Sequence, residues 1–175
     1  MSGHVLVLGG ARSGKTGFAE RMTMRIGSKP LYLATAQALD DEMRDRIRLH
    51  QRDRHKSFAP LEEPLDLIGA LKVAALTHDA ILVDCVALWM SNLLGSGEDA
   101  AAAVASLVAA LPTIETARIV LVSNEVGLGI VPDNPLARTF RDLAGAAHQR
   151  LAEICGEVHF VVAGLPMTLK GAPVP

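Results

Sequence analysis

At 175 residues, half of them apolar and 21% charged, the chain has the size and composition of one globular domain with a full core. Seventeen basic and nineteen acidic side chains leave a net charge of −2, and aromatic residues make up only 3%, so neither a strongly basic duplex-binding surface nor a stacking platform for single strands is expected. Cys85 and Cys155 are too few for a disulfide framework and lack metal-ligand spacing, which reads as reduced thiols in a cytoplasmic protein.

The first apolar run, His4-Val5-Leu6-Val7-Leu8, is short and β-branched and has no cationic stretch before it, so it predicts a buried strand and not a signal peptide. It leads directly into Gly9-Gly10-Ala11-Arg12-Ser13-Gly14-Lys15-Thr16, a full match to G-x-x-x-x-G-K-[ST]. Glycines let such a loop turn tightly and aim backbone N–H groups at phosphate oxygens. Lys15 adds a mobile positive charge for the outer phosphates, and the Thr16 hydroxyl can join the shell of a Mg²⁺ ion. Phe18, Ala19, Met22 and Ile26 then recur at helical spacing up to Gly27. Strand, loop and helix together are the context a phosphate-binding loop requires, against the bland reading of a glycine-rich turn with a chance lysine. The stretch predicts binding of a nucleoside triphosphate.

Pro30 to Ala34 predicts a second strand, followed by Thr35, Ala36 and Gln37. This turn either passes close to the nucleotide, as carboxyl ends of strands do in open α/β sheets, or simply starts a helix with Asp40 as N-cap. From Asp40 to Arg54 a charged amphipathic helix is expected, with Leu39, Met43, Ile47 and His50 on one stripe. By geometry alone a lone histidine there is a packed or hydrogen-bonded residue. The cluster Arg52, Arg54, His55 and Lys56 is a solvated face or, beside a phosphate site, a guide for an anionic substrate.

Phe58 to Pro64 reads as a proline-bounded connector and Leu65 to Thr77 as a helix. Asp79 to Asp84 is a third strand with an acid at its carboxyl end. In that position Asp84 either holds Mg²⁺ or caps the helix that follows, and the upstream loop favours the metal. A buried helix at Ala87–Leu94, a short flexible linker and an alanine-rich helix from Ala100 to Leu111 come next; the latter is too short to span a bilayer. A fourth strand runs from Ala117 to Ser123. The glycine- and proline-rich segment from Val126 to Asn134 is a lid or binding surface, or packs on a neighbouring subunit. A long helix from Pro135, a last strand from Glu157 to Ala163 and a tail from Gly164 complete the chain. Alternating strands and helices predict a single α/β domain, residues 1–175, with a mostly parallel sheet covered by helices on both faces. The D-x-x-G and N-K-x-D motifs of switch GTPases are absent.

Beyond the phosphate loop, several strings carry a resemblance: Ala34-Thr35-Ala36, Arg46-Ile47 followed by His50, Glu62-Glu63-Pro64, Val83-Asp84-Cys85, the long Ser123–Pro132 segment, Phe140–Gly145 and Val162–Pro166. Together they resemble the bifunctional adenosylcobinamide kinase/adenosylcobinamide-phosphate guanylyltransferase family, from the first strand to Lys170. The resemblance implies a RecA-like P-loop NTPase fold, a homotrimer, and adenosylcobinamide, ATP and GTP as substrates. It implies phosphorylation of the aminopropanol arm, then transfer of GMP carried on His50, giving adenosylcobinamide-GDP. It places nucleotide contacts at Gly9, Gly10, Ala11, Arg12, Ser13, Gly14, Lys15, Thr16, Ala34, Thr35, Ala36, Gln51, Arg52, Asp53, Arg54, Glu62 and Asp84. Thr16 where serine is common and Phe58 near a frequent tryptophan are its departures, and neither touches the proposed chemistry.

Overall fold

The computed structural model describes residues 2–53 and 55–172, and the backbone alone at Ser2, Glu42, Arg46, His50 and Asp53. In chain order the elements are β1 (Ser2–Gly9), α1 (Lys15–Ile26), β2 (Pro30–Ala34), α2 (Asp41–Asp53), β3 (Ala59–Glu62), α3 (Leu67–Ala74) and β4 (Ala80–Asp84). They continue with α4 (Val86–Ser96), α5 (Ala100–Ala110), a 3₁₀ turn (Leu111–Thr113), β5 (Arg118–Asn124), α6 (Pro135–Ile154), β6 (Cys155–Val162) and β7 (Leu165–Lys170).

The strands form one sheet in the order β3-β2-β4-β5-β1-β6-β7, parallel except for β7, which runs antiparallel to β6. Successive side chains of a strand point to opposite faces, yet Val5, Leu6 and Val7 in β1, Ile81, Leu82 and Val83 in β4, and Ile119 to Val122 in β5 are all fully buried. Both faces of the central sheet are therefore covered, which is what continuous apolar runs without alternation require. The helix α1 packs on β1, β4, β5 and β6, while α4 and α6 pack on each other, with α4 on β5 and α6 on β1 and β6. Each fully buried leucine-sized side chain contributes about 1.5–3 kcal/mol of transfer free energy, so this core dominates stability. Trp89 is buried with it and satisfies its ring N–H on the Leu65 carbonyl at 2.8 Å.

Helix starts follow their caps. Asp40 accepts the Met43 N–H at 2.7 Å, Asp66 the Gly69 N–H at 2.9 Å, Asp99 the Ala102 N–H at 2.9 Å and Asn134 the Ala137 N–H at 3.2 Å. The Asp66 cap moves the start of α3 two residues beyond the expected Leu65. Leu39 lies outside α2 and is exposed, so it is no part of the inward stripe.

Two expectations are corrected. The connector at Phe58–Pro64 contains β3, paired with β2 so that Pro60 faces Tyr32 in register. An edge strand tolerates the proline because one side of its backbone carries no ladder. The tail beyond Gly164 contains β7. Ala163 and Gly164 both have positive φ, 51° and 82°, in a tight turn that sets Val162 opposite Leu165. No described helix is long and apolar enough to cross a membrane.

Candidate functional site

At the carboxyl ends of β1 and β4 a cavity of about 770 Å³ opens between the phosphate loop, α2 and the end of β2. Its floor is the loop from Ala11 to Thr16, with Gly9 and Gly10 behind it at the end of β1. A Cβ on Gly9 would meet Ser13 Oγ at 2.5 Å and the Val161 carbonyl at 2.7 Å, so the loop closes this tightly only over glycine. Gly14 has φ 89°, and a Cβ there would stand 3.1 Å from Gly164 Cα. The hairpin turn between β6 and β7 presses on the loop at that point, and Gly164 N–H donates to the Ser13 carbonyl at 2.8 Å. Lys15 opens α1, is 9% exposed, and donates from Nζ to the Gly10 carbonyl at 3.2 Å, across the mouth of the loop. The amino end of α1 and this ammonium both face the cavity with positive charge.

Asp84 stands opposite. Its Oδ2 accepts from Thr16 Oγ1 at 3.3 Å and from the Tyr32 hydroxyl at 2.5 Å. The alternative of a helix cap falls away, because α4 is capped by Cys85, whose Sγ accepts the Leu88 N–H at 3.4 Å. Burial, followed by the Asp84 charge, pushes the Cys85 thiol up to about 12, so it stays protonated and is no nucleophile. The donor set fits Mg²⁺: a hydroxyl and a carboxylate oxygen side by side, next to a phosphate loop, suit a hard cation that keeps waters and shares substrate phosphates. No cluster of three metal-ligating His, Cys, Asp or Glu side chains occurs among the described residues.

Thr35 is fully buried behind the cavity, not in it. Its Oγ1 donates to the Cys85 carbonyl at 2.8 Å and accepts the Cys85 N–H at 2.9 Å, tying the end of β2 to the end of β4. Asn92 reinforces the tie by donating to the Thr35 carbonyl at 2.7 Å and the Pro64 carbonyl at 3.0 Å. Ala34 and Ala36, on either side of Thr35, do line the cavity.

From α2, Met43, Arg44, Ile47, Arg48 and Gln51 line the opposite wall. Gln51 Nε2 donates to Glu62 Oε1 at 3.0 Å, joining α2 to β3, and Glu62 lines the cavity too. Arg44 and Arg48 pair with Asp41 and Asp45 on the exposed side; such solvated pairs are weak and readily exchanged for a phosphate. Arg52 is exposed and does not line the cavity. His50 lies in the last turn of α2, one turn beyond Ile47; its side chain, that of Asp53 and the whole of Arg54 lie outside the described residues.

Sequence reasoning missed Tyr32, Arg44, Arg48 and Asn124 in this wall. Tyr32 sat inside an apolar strand, and only its hydroxyl marked it. Arg44 and Arg48 each follow a residue of the expected stripe, Met43 and Ile47, and so stand off it by a helical step while still reaching the cavity. Asn124 stood within a polar string that was used for its pattern and not for its chemistry.

Comparison with known proteins agrees with this geometry. The family model described as cobinamide kinase/cobinamide phosphate guanyltransferase matches residues 5–169. The chain is 46% identical over 178 residues to the bifunctional adenosylcobalamin biosynthesis protein CobP of Pseudomonas aeruginosa, covering 97% of this chain and 98% of that protein. It is 43% identical over 185 residues to CobU of Salmonella typhimurium, a protein of the same description, covering 95% and 99%. Among solved structures, the P4 protein of bacteriophage phi6 in complex with ADP superposes with a TM-score of 0.52 at 14% identity, covering 99% of this chain and 59% of that one. A Pyrococcus horikoshii protein does so with the same score at 10% identity, covering 97% and 87%. At such identities the structural likeness shows the P-loop NTPase fold alone. The sequence matches go further: this chain belongs to the cobinamide kinase/cobinamide phosphate guanylyltransferase family and is a bifunctional kinase and guanylyltransferase of cobalamin biosynthesis.

Proposed function

We propose that the chain phosphorylates adenosylcobinamide from ATP or GTP and then moves GMP from GTP onto the product, giving adenosylcobinamide-GDP, with His50 carrying GMP between donor and acceptor. The observation that carries this reading is one cavity shared by the phosphate loop, Asp84 and the α2 face that brackets His50 in sequence.

In the kinase step the acceptor hydroxyl oxygen bonds to the γ-phosphorus, the bond from that phosphorus to the nucleoside diphosphate breaks, and the hydroxyl proton passes to an oxygen of the transferred phosphoryl group. Phosphoryl transfer needs positioning and charge neutralisation more than covalent help, and the chain supplies loop N–H groups, Lys15 and the amino end of α1. Thr16 and Asp84 would hold Mg²⁺, which supplies further positive charge on the phosphates when bound. In the transfer step a neutral His50 imidazole nitrogen bonds to the α-phosphorus while the bond to pyrophosphate breaks. An imidazole with an ordinary value near 6.5 is mostly neutral at cellular pH. Lys15, Arg44 and Arg48 stabilise the departing pyrophosphate. The acceptor phosphate then displaces the imidazole and takes GMP.

The remaining nucleotide contacts are assigned to Ala11 to Thr16, Ala34, Ala36, Gln51, Asp53, Arg54 and Glu62, with Gly9 and Gly10 shaping the loop, Thr35 acting through its tie to β4 and Arg52 adding positive charge from outside the cavity. We extend the proposal to a cytoplasmic homotrimer of single-domain subunits. Exposed Leu128, Ile130 and Leu136 after β5 support a subunit contact, which sedimentation equilibrium checks.

The test is GTP labelled at the α-phosphate. Wild-type protein should acquire acid-labile, alkali-stable label, and His50→Ala should lose it together with several powers of ten in guanylyl transfer while kinase activity persists. Label retained in His50→Ala but lost in His55→Ala moves the site to His55. A plain kinase would stop at adenosylcobinamide phosphate, which mass analysis of the products reveals.

A further inference from the structure

Tyr32 is the one polar side chain of β2, whose other residues are proline, leucine and alanine. It is 3% exposed, and its ring meets that of Phe58 edge to face with centroids 5.7 Å apart. That packing needs the ring alone, and a phenylalanine would supply it. The hydroxyl needs a reason of its own.

The register of the sheet supplies it. β2 and β4 run parallel with Tyr32 opposite Leu82 and Ala34 opposite Asp84, so Tyr32 and Asp84 project from the same face two residues apart. Across that diagonal the tyrosine hydroxyl reaches Asp84 Oδ2 at 2.5 Å, while Thr16 Oγ1 stands 3.3 Å from the same oxygen. A hydroxyl on an ionised carboxylate sits at about 2.5–2.7 Å, and a contact beyond about 3.2 Å is weak. Tyr32 and not Thr16 therefore fixes where the carboxylate stands. The reverse account, in which Asp84 merely satisfies a buried phenol, is a poor one. Tyr32 borders the cavity, where water would serve its hydroxyl, and a partly buried carboxylate is a costly partner to keep for packing alone. Carboxylates that hold metals are commonly oriented by an outer hydrogen bond of this kind.

We propose that Tyr32 is a positioning residue for the cation that accompanies the nucleotide, an inference that rests on Mg²⁺ and the triphosphate sharing this cavity through Thr16 and Asp84. The phenol holds the carboxylate in one orientation, so that Asp84 meets the cation or its waters without first having to be ordered. Tyr32 itself touches neither the cation nor the reacting phosphorus. Its influence passes wholly through Asp84 and vanishes once Asp84 no longer serves the cation. Mg²⁺ demands near-ideal octahedral geometry whereas Ca²⁺ accepts a looser arrangement, so releasing the carboxylate costs Mg²⁺ more.

The experiment measures binding of a β,γ-imido GTP analogue to wild type, Tyr32→Phe, Asp84→Asn and the double variant, in EDTA and across titrations of Mg²⁺ and Ca²⁺. In EDTA the affinity of Tyr32→Phe should stay within about twofold of wild type, because the ring and its packing are kept. The Mg²⁺ concentration for half-maximal binding should rise about tenfold, with a smaller rise for Ca²⁺. In the Asp84→Asn background the same substitution should add nothing. An unchanged Mg²⁺ requirement in Tyr32→Phe overturns the assignment. An equal loss in EDTA and in Mg²⁺ overturns it too, since the hydroxyl would then be shaping the cavity or touching the nucleotide. So does a full Mg²⁺ effect of Tyr32→Phe that persists beside Asp84→Asn. If wild type binds the analogue equally in EDTA and in Mg²⁺, or Asp84→Asn keeps the wild-type Mg²⁺ response, the cation site itself is misplaced and this inference falls with that reading.

Discussion

Asp84 carries two hydrogen bonds on one oxygen, from Thr16 and from Tyr32, while Cys85 caps the helix behind it. Removing its charge should therefore leave α4 in place and weaken only the hold on the cation and phosphates. Asp84→Asn is expected to lower both activities on the order of a hundredfold and to raise the Mg²⁺ concentration needed for half-maximal rate, with little change in the thermal midpoint. Kinetics against Mg²⁺ alongside a melting curve check this; a lost helix with an unchanged metal response would restore the capping role. At this scale the phosphate loop was legible because its chemistry forces residue type and spacing together, from Gly9 to Thr16. His50 was not legible from periodicity, which made it a packed histidine, and the role proposed for it comes from the family resemblance alone. Thr35 shows the converse. It belongs to the matched string, yet its hydroxyl bonds backbone on both sides of the Cys85 peptide and faces away from the cavity.

Elements were read well where burial writes a pattern and poorly at the rims of the sheet. The strands β1, β4 and β5 are buried on both faces and appear as continuous apolar runs. β3 and β7 are edges: Ala59–Glu62 carries a proline and runs out into Glu62-Glu63, and Leu165–Lys170 alternates exposed Leu165, Met167 and Leu169 with half-buried residues. Only their pairing with β2 and β6 makes them strands. Joints between elements carry chemistry of their own. Asp79, one residue before β4, accepts from the Ser28 N–H and hydroxyl and from the Lys29 N–H at the start of β2. The Lys29 amide, with that of Ser28 and its hydroxyl, holds the Asp79 carboxyl down from 3.8 to about 2. A folded value below the unfolded one means that the charged form contributes stability above about pH 4, lost as pH falls through 2. Urea unfolding of wild type and Asp79→Asn should therefore show a constant gap from pH 7 to about 4 that narrows towards pH 2. A gap that does not change below pH 4 would mean that the carboxylate charge is not what holds the joint.

For the molecule as a whole, alternation of strands and helices was enough to predict a parallel sheet with two covered faces, but not the order of its strands. Nothing local in His4–Leu8 says that its neighbours will be β5 and β6, since strand order is decided by which crossovers pack their helices on which face. That order brings Gly9, Asp84 and Asn124 to one rim from three distant parts of the chain. It also has a consequence for the order in which the protein is made. A ribosome delivers β1 well before its partners, and Val5 pairs with Val120 and Glu157, so this interior strand of the sheet must wait until both have been translated. Until then Val5-Leu6-Val7-Leu8 is an apolar segment with both backbone edges open, the kind that self-associates. Nascent chains halted before residue 118 should be the most dependent on a holding chaperone, and the nucleotide site, begun by the loop after β1, is completed only when β5 and the turn between β6 and β7 have been made.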